Sequence, residues 1–156
     1  MLKQLIFNIP LIAGGLGWLV AEIVKVIVEC ISKRSIKQVS WKALFASGGM
    51  PSSHSSSMCA LTASVGYIEG WGSVIFAVCM VVSAIVMYDA SGVRREAGEQ
   101  AKALNIISRN LRQAGDGYKD LKEFNESTGH TGVQVLVGCA LGIVVGLLYS
   151  WLCTRG

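Results

Sequence analysis

The chain contains two histidines, and both stand in the same local setting. His54 follows Pro51-Ser52-Ser53 within GGMPSSHSSS, and His130 follows Ser127-Thr128-Gly129; each sits directly before an apolar run. Serine and threonine are good helix N-caps. A helix start presents unpaired backbone N–H groups at the positive end of its dipole, which attracts anions. Arg94 and Arg95 lie between the two histidines in YDASGVRREAG. Two imidazoles, two helix starts and a basic segment on one face would make a pocket for phosphate. Plainer readings stand beside this one. An interfacial histidine can be a structural hydrogen-bonding residue, and the arginines can set topology while pairing with Asp89 or Glu96.

The elements that must position these residues are apolar. The 156 residues are 52% hydrophobic and 15% charged, a balance unlike that of a soluble domain. Residues 5–24 carry one charge, and residues 71–88 and 132–152 carry none. Each stretch can cross a hydrocarbon core as a helix. A fourth stretch, 55–68, is shorter and richer in Ser, Thr and Gly, so it spans only if neighbouring helices cover its polar side. The first block lacks a strongly basic start and a clear small-residue cleavage site, and is expected to be retained. Cysteines 30, 59, 79, 139 and 153 have no C-x-x-C spacing and read as packing residues, with neither a disulfide framework nor a zinc site.

Four spans would put residues 32–54 and 89–131 on one side. That side holds eleven basic residues: Lys33, Arg34, Lys37, Lys42, Arg94, Arg95, Lys102, Arg109, Arg112, Lys119 and Lys122. The other side holds Lys3 and Arg155. The positive-inside rule then places the long loops in the cytoplasm and both termini outside. The net charge of +4 is accounted for by topology and anionic headgroups, without a nucleic-acid partner. Residues 91–112 keep Val93, Ala97, Leu104, Ile107 and Leu111 near one helical face, which suggests an amphipathic helix on the membrane surface or against the bundle. Residues 113–128 read as a loop or short surface helix. Gly138, Gly142 and Gly146, four residues apart, predict a close helix contact.

Taken in order, GGMPSSHSS, YDASGVRREAGEQA, the Leu104-Asn105 pair and GHTGVQVLVGCALGI resemble the divergent branch of the type 2 phosphatidic acid phosphatase superfamily, which is related to vanadium haloperoxidases. The resemblance runs from about Pro10 to Leu148. The parent superfamily carries K-x6-R-P, P-S-G-H and S-R-x5-H-x3-D. Pro51, Ser52 and His54 match the second motif, with Ser53 in place of its glycine. His130 matches the histidine of the third, with Val135 and Gly138 in register behind it. Arg94 or Arg95 matches its arginine, and about thirty-five residues then separate arginine from histidine.

The resemblance implies that His130 attacks phosphorus to form a phosphohistidine and that His54 protonates the leaving alkoxide. Arg94 or Arg95 and the N–H groups near Ser52 and Ser53 would hold the equatorial oxygens. The scheme needs no metal or other cofactor, and no carboxylate–histidine group has ligand spacing. Two departures stand out. No K-x6-R-P occurs, so Lys25, Lys33 or Lys42 must supply any phosphate lysine. Lys25 is preferred because a lysine at membrane depth is costly, although it can also snorkel or pair with Glu22 or Glu29. Gln134 stands where the parent has the aspartate that orients the nucleophile; it can accept a hydrogen bond but supplies no charge. Asp89 is the carboxylate that could compensate.

The expected protein is an all-α integral membrane bundle in a single domain, residues 1–156. It has about four spans (5–31, 54–69, 71–88 and 131–152), and residues 89–130 form a cytoplasmic insertion with an amphipathic helix. The expected activity is hydrolysis of a phosphomonoester on a phospholipid or isoprenoid phosphate in a bacterial-type plasma membrane. A polyprenyl pyrophosphate recycled on the outer face fits less well. Four spans are fewer than the parent's six helices, which suggests a homo-oligomer. The rival reading is a catalytically inactive protein that binds anionic headgroups or phosphate. Transport is a weaker third, because few polar residues lie within the spans.

Overall fold

The computed structural model describes residues 7–33, 49–114, 121, 123–126 and 129–155, and the described part is all-helical without strands. In chain order the helices are α1 (Ile9–Lys33), α2 (Ser53–Glu69), α3 (Val74–Ser91), α4 (Val93–Ala114) and α5 (Gly132–Arg155). Lys42, most of the loop over 32–54, and much of 113–128 lie outside the described residues, as does the side chain of Lys33.

Each helix starts where a side chain or backbone group can take an otherwise unpaired N–H. Asn8 Oδ1 accepts from Leu11 N at 3.0 Å, and Ser73 Oγ accepts from Phe76 N at 3.2 Å. Ser52 caps α2 by accepting from Ser55 N at 3.4 Å. Thr131 and Gln134 cap α5 reciprocally: Gln134 Oε1 accepts from Thr131 N at 2.9 Å, and Gln134 N donates to Thr131 Oγ1 at 3.4 Å. This is a capping box.

Three stretches are long and apolar enough to cross a membrane by length and composition: Ile9–Ser32, Val74–Gln113 and Gly132–Arg155. Their outward faces carry bare apolar side chains, among them Ile31, Val74 and Leu136, which are 72%, 81% and 69% exposed. In water such a surface would drive association; in a bilayer it faces lipid.

The remaining helix, α2, packs against α1, α3 and α5. Its neighbours cover the polar side that the sequence requires to be covered. Ser56 Oγ donates to Gly17 O at 2.8 Å, and Ser57 Oγ donates to Gly14 O at 3.0 Å. Thr62 and Ser83 share a hydroxyl hydrogen bond at 2.8 Å, and Ser150 Oγ donates to Ser64 Oγ at 2.7 Å. Small hydroxyl residues and glycines bring helix backbones together where lipid supplies no hydrophobic drive. A Cβ on Gly138, Gly142 or Gly146 would collide with the carbonyl oxygens of Ser52, Ser56 and Ala60 respectively. The glycine stripe is therefore the line along which α5 lies on the α2 backbone.

The amphipathic helix forms as α4. Its face with Val93, Leu104, Ile107 and Leu111 is exposed and does not lie against the bundle. The covered face is the small and polar one, with Gly98, Ala101, Asn105 and Ser108 buried. Asn105 binds the backbone of Phe124 through both halves of its amide, each at 2.9 Å, and reaches Glu126 Oε1 at 2.8 Å.

Candidate functional site

His54 sits in the first turn of α2, and His130 directly precedes the cap of α5. The two helix starts are held together by a backbone hydrogen bond from Ser52 N to Gln134 O at 3.0 Å. A second, from His130 N to Ala90 O at 2.9 Å, attaches the same corner to the end of α3. Gly129, at φ +92°, lies flush on the backbone of Arg94 and Arg95, where any side chain would collide. Three helix ends therefore converge. A small cavity of about 20 Å³ between them is lined by His54, Val86, Asp89, Ala90, Arg94 and His130.

Asp89 Oδ2 accepts from Arg94 Nε at 2.6 Å, so the cavity's cation and anion are paired with each other. Arg95 is turned away and lines a separate open cleft of about 460 Å³ with Ser91, Gly92 and Glu96. Of the two arginines left open by the sequence, Arg94 is the one beside both histidines.

His130 is buried, and its Nδ1 has no hydrogen-bond partner among the described residues. Burial pushes its pKa below the ordinary 6.5, because a low-dielectric site disfavours the imidazolium. Donation of a ring N–H to the Gln134 side chain pulls the other way, the charge on Lys25 adds to the lowering, and smaller effects come from the Gly49 backbone, which raises it, and His54, which lowers it. The net shift is toward the uncharged imidazole.

Lys25 is buried, with its side chain 7% exposed, and Nζ donates to Glu22 Oε1 at 2.9 Å. Its stem passes Gly49, where a Cβ would stand 3.2 Å from the lysine Cγ and Cδ. Gly49 has φ +97°, so glycine suits this position on both counts. Lys25 does not line the histidine cavity, but its charge is felt at His130.

Ser52 and Ser53 are both buried at the α2 start. The Ser52 N–H is already engaged by Gln134 O and is not free for an anion in this arrangement. Gln134 Oε1 is likewise given to Thr131 N, so its first task is the α5 cap. Among the described residues no group of three or more His, Cys, Asp or Glu is placed to hold a metal ion.

A family model described as "Divergent PAP2 family" matches residues 6–145, the same span that contains every residue of the cavity. The chain belongs to the divergent PAP2 family. It is also similar to "Uncharacterized membrane protein YuiD" of Bacillus subtilis (strain 168), at 32% identity over 157 residues, covering 95% of this chain and 98% of the relative. No solved structure matches. Membership makes this an integral membrane protein related to phosphatases, in agreement with its three apolar helices.

For a divergent PAP2 protein the arrangement offers a buried imidazole, a second exposed imidazole, and a guanidinium restrained by a carboxylate. Several contributors escaped the sequence reading. Val86 and Ala90 form cavity wall and carry no chemical signal. Gly49 and Gly129 lie against Lys25 and against the backbone of Arg94 and Arg95, and a glycine one to five residues ahead of each histidine is the sign that the sequence carries. The Thr131-x-x-Gln134 spacing was legible as a capping box and was not read as one.

Proposed function

We propose that the protein is a phosphomonoesterase acting on a lipid phosphate through a phosphohistidine at His130. The observation that carries this reading is that His54 and His130, far apart in sequence, line one cavity with Arg94. In the reaction, a neutral His130 nitrogen forms a bond to phosphorus while the ester P–O bond breaks. The imidazolium of His54 gives its proton to the leaving alkoxide. Water then attacks the phosphohistidine and passes a proton to His54, releasing inorganic phosphate and restoring both histidines. Arg94 neutralises charge on the transferring oxygens, Ser52 and Ser53 shape the α2 start, and Lys25 sets the field at His130. Arg95, on the neighbouring cleft, has no direct part.

The cavity is large enough for about one water molecule and too small for phosphate. Binding therefore requires Asp89 to release Arg94, so that the substrate replaces one anionic partner with another. The basic loops support a cytoplasmic site with both termini outside, in a bacterial-type plasma membrane. That leaflet exposes phosphatidate-like and phosphatidylglycerol-phosphate-like headgroups. The whole chain acts as one membrane domain, and pairing of two copies would enlarge a bundle smaller than the parent's.

The test is phosphate release from a panel of lipid phosphates in liposomes, for wild type, His54→Ala and His130→Ala, with and without chelator. Release that survives chelation and is lost in both variants supports the mechanism. A second reading, binding of phosphate or anionic headgroups without turnover, draws on the internal neutralisation of Lys25 and Arg94 and on Gln134 in place of a charged residue. Folded protein that binds phosphatidate liposomes but releases no phosphate would establish it.

A further inference from the structure

Below the histidine cavity, α2, α3 and α5 enclose a second cavity of about 200 Å³. Its walls include Cys59 and Ala63 of α2, Met80, Ala84 and Met87 of α3, and Cys139 of α5. Thr62 and Ser83 also reach it, but their hydroxyls are bonded to each other at 2.8 Å and ask nothing of an occupant. An engineered apolar cavity of about 150 Å³ stays dry and binds benzene. A space of this size and lining accordingly takes hydrocarbon and refuses water. Met80 and Ala84 also stand on the exposed side of α3, so the cavity reaches the lipid-facing surface of the bundle.

The two cavities share α2 and α3. Met87 is two residues before Asp89 on α3, and Cys59 is five after His54 on α2, about 8 Å further along the axis. Phe76 and Trp71 close the far end, their rings edge to face at 5.2 Å. From Asp89 to Phe76 is about 20 Å along α3, the reach of an extended hydrocarbon chain more than halfway through a 30 Å bilayer core.

We infer that this cavity is the binding slot for one hydrocarbon chain of the lipid whose phosphate group sits between His54, His130 and Arg94. The inference rests on the proposed phosphate site, since the polar end must be anchored there for the chain to lie along α3. A long-chain lipid phosphate is thereby distinguished from a soluble phosphoester, and a straight chain from a bulky ring system.

Trp71 reports occupancy directly. In a full-length chain carrying Trp18→Phe, Trp41→Phe and Trp151→Phe, fluorescence is recorded in liposomes doped with phosphatidate brominated on its chains. The comparison is phosphatidylcholine brominated in the same way at the same mole fraction. The expected result is quenching at least twofold greater with phosphatidate, and loss of that excess in Ala84→Phe, which fills the slot from its lipid-facing lip. Equal quenching by the two lipids, or an excess that survives Ala84→Phe, would overturn the slot. Phosphate release measured in the same samples keeps the two ideas separate. Headgroup-dependent quenching without release supports the slot and refutes hydrolysis, while release without headgroup-dependent quenching refutes the slot alone.

Discussion

Replacing Gly142 by alanine tests whether the bundle is organised by backbone contact along α5. The new methyl group would collide with the carbonyl oxygen of Ser56, so α5 must retreat by roughly 1 Å, enough to forfeit a quarter to a half of the dispersion energy across the contact. Gly142 lies midway between Gln134 and Ser150. The retreat therefore stretches both hydrogen bonds that bracket the interface, Ser52 N to Gln134 O at 3.0 Å and Ser150 Oγ to Ser64 Oγ at 2.7 Å. Overpacking of this kind costs about 1–3 kcal/mol. Each interhelical hydrogen bond in a membrane contributes about 0.6 kcal/mol. Against these stands about 0.5–1 kcal/mol gained when alanine replaces a helical glycine. The net expectation is a loss of about 1–4 kcal/mol. Gly15 provides the control, because it is helical but a Cβ there meets nothing within 4 Å. Gly15→Ala should be neutral or stabilising by up to about 1 kcal/mol. Reversible unfolding in mixed micelles by SDS titration measures both. If the two variants shift the midpoint in the same direction by similar amounts, the claim of backbone-to-backbone packing fails.

Four further expectations follow from the site. Arg94→Ala should lower kcat/KM by about 10²–10³, the usual loss on removing one preorganised charge-stabilising donor, whereas Arg95→Ala should remain near wild type; the same assay run side by side decides it. Because burial holds the His130 pKa below 6.5, the acid limb of kcat/KM against pH should fall below that value and shift upward in Lys25→Met, where a charge that contributes to the lowering is gone. The same depression means that the stability conferred by burying neutral His130 is fully present above pH 6.5 and is lost as pH falls through the folded-state pKa, measurable as a lower unfolding midpoint in acid. Gln134→Glu keeps the capping box and adds a carboxylate beside His130, so stability should hold and phosphate release should rise; Gln134→Ala should cost about 1 kcal/mol through the lost cap.

The helical fold was readable because a bilayer allows few alternatives. Charge-free runs at 71–88 and 132–152 must satisfy their own backbones, and helices do so. The Gly138, Gly142, Gly146 contact was also readable, since four-residue spacing of small side chains has one common use. The serine-rich stretch after His54 was harder. Its placement depends on Gly14 and Gly17 of α1 accepting its hydroxyls, and no local pattern announces those partners. The same limit applied to the arginines. Arg94 and Arg95 are adjacent and chemically identical, and only the way α4 leaves Gly92 sends one toward the histidines and the other to a different cleft. Lys25 was ambiguous for another reason: Glu22 and Glu29 both lie about one helical turn from it, and spacing alone does not say that Glu22 takes its ammonium in a buried pair.

The long spacing between arginine and histidine acquires a different meaning from the geometry of Gly129 and His130. With Gly129 against the backbone of Arg94 and Arg95, and His130 N–H on the Ala90 carbonyl, the chain returns to its point of departure. The intervening stretch is therefore an annex whose two doorposts are already fixed. Closing such a loop costs only about 0.6 kcal/mol for each doubling of its length. A short connection like the parent motif's and the long one here can deliver the same pair of residues to the same place. The corner is therefore fixed at its two ends, by Arg94 and Arg95 where α4 begins and by the glycine that rests on them, and not by the number of residues in between.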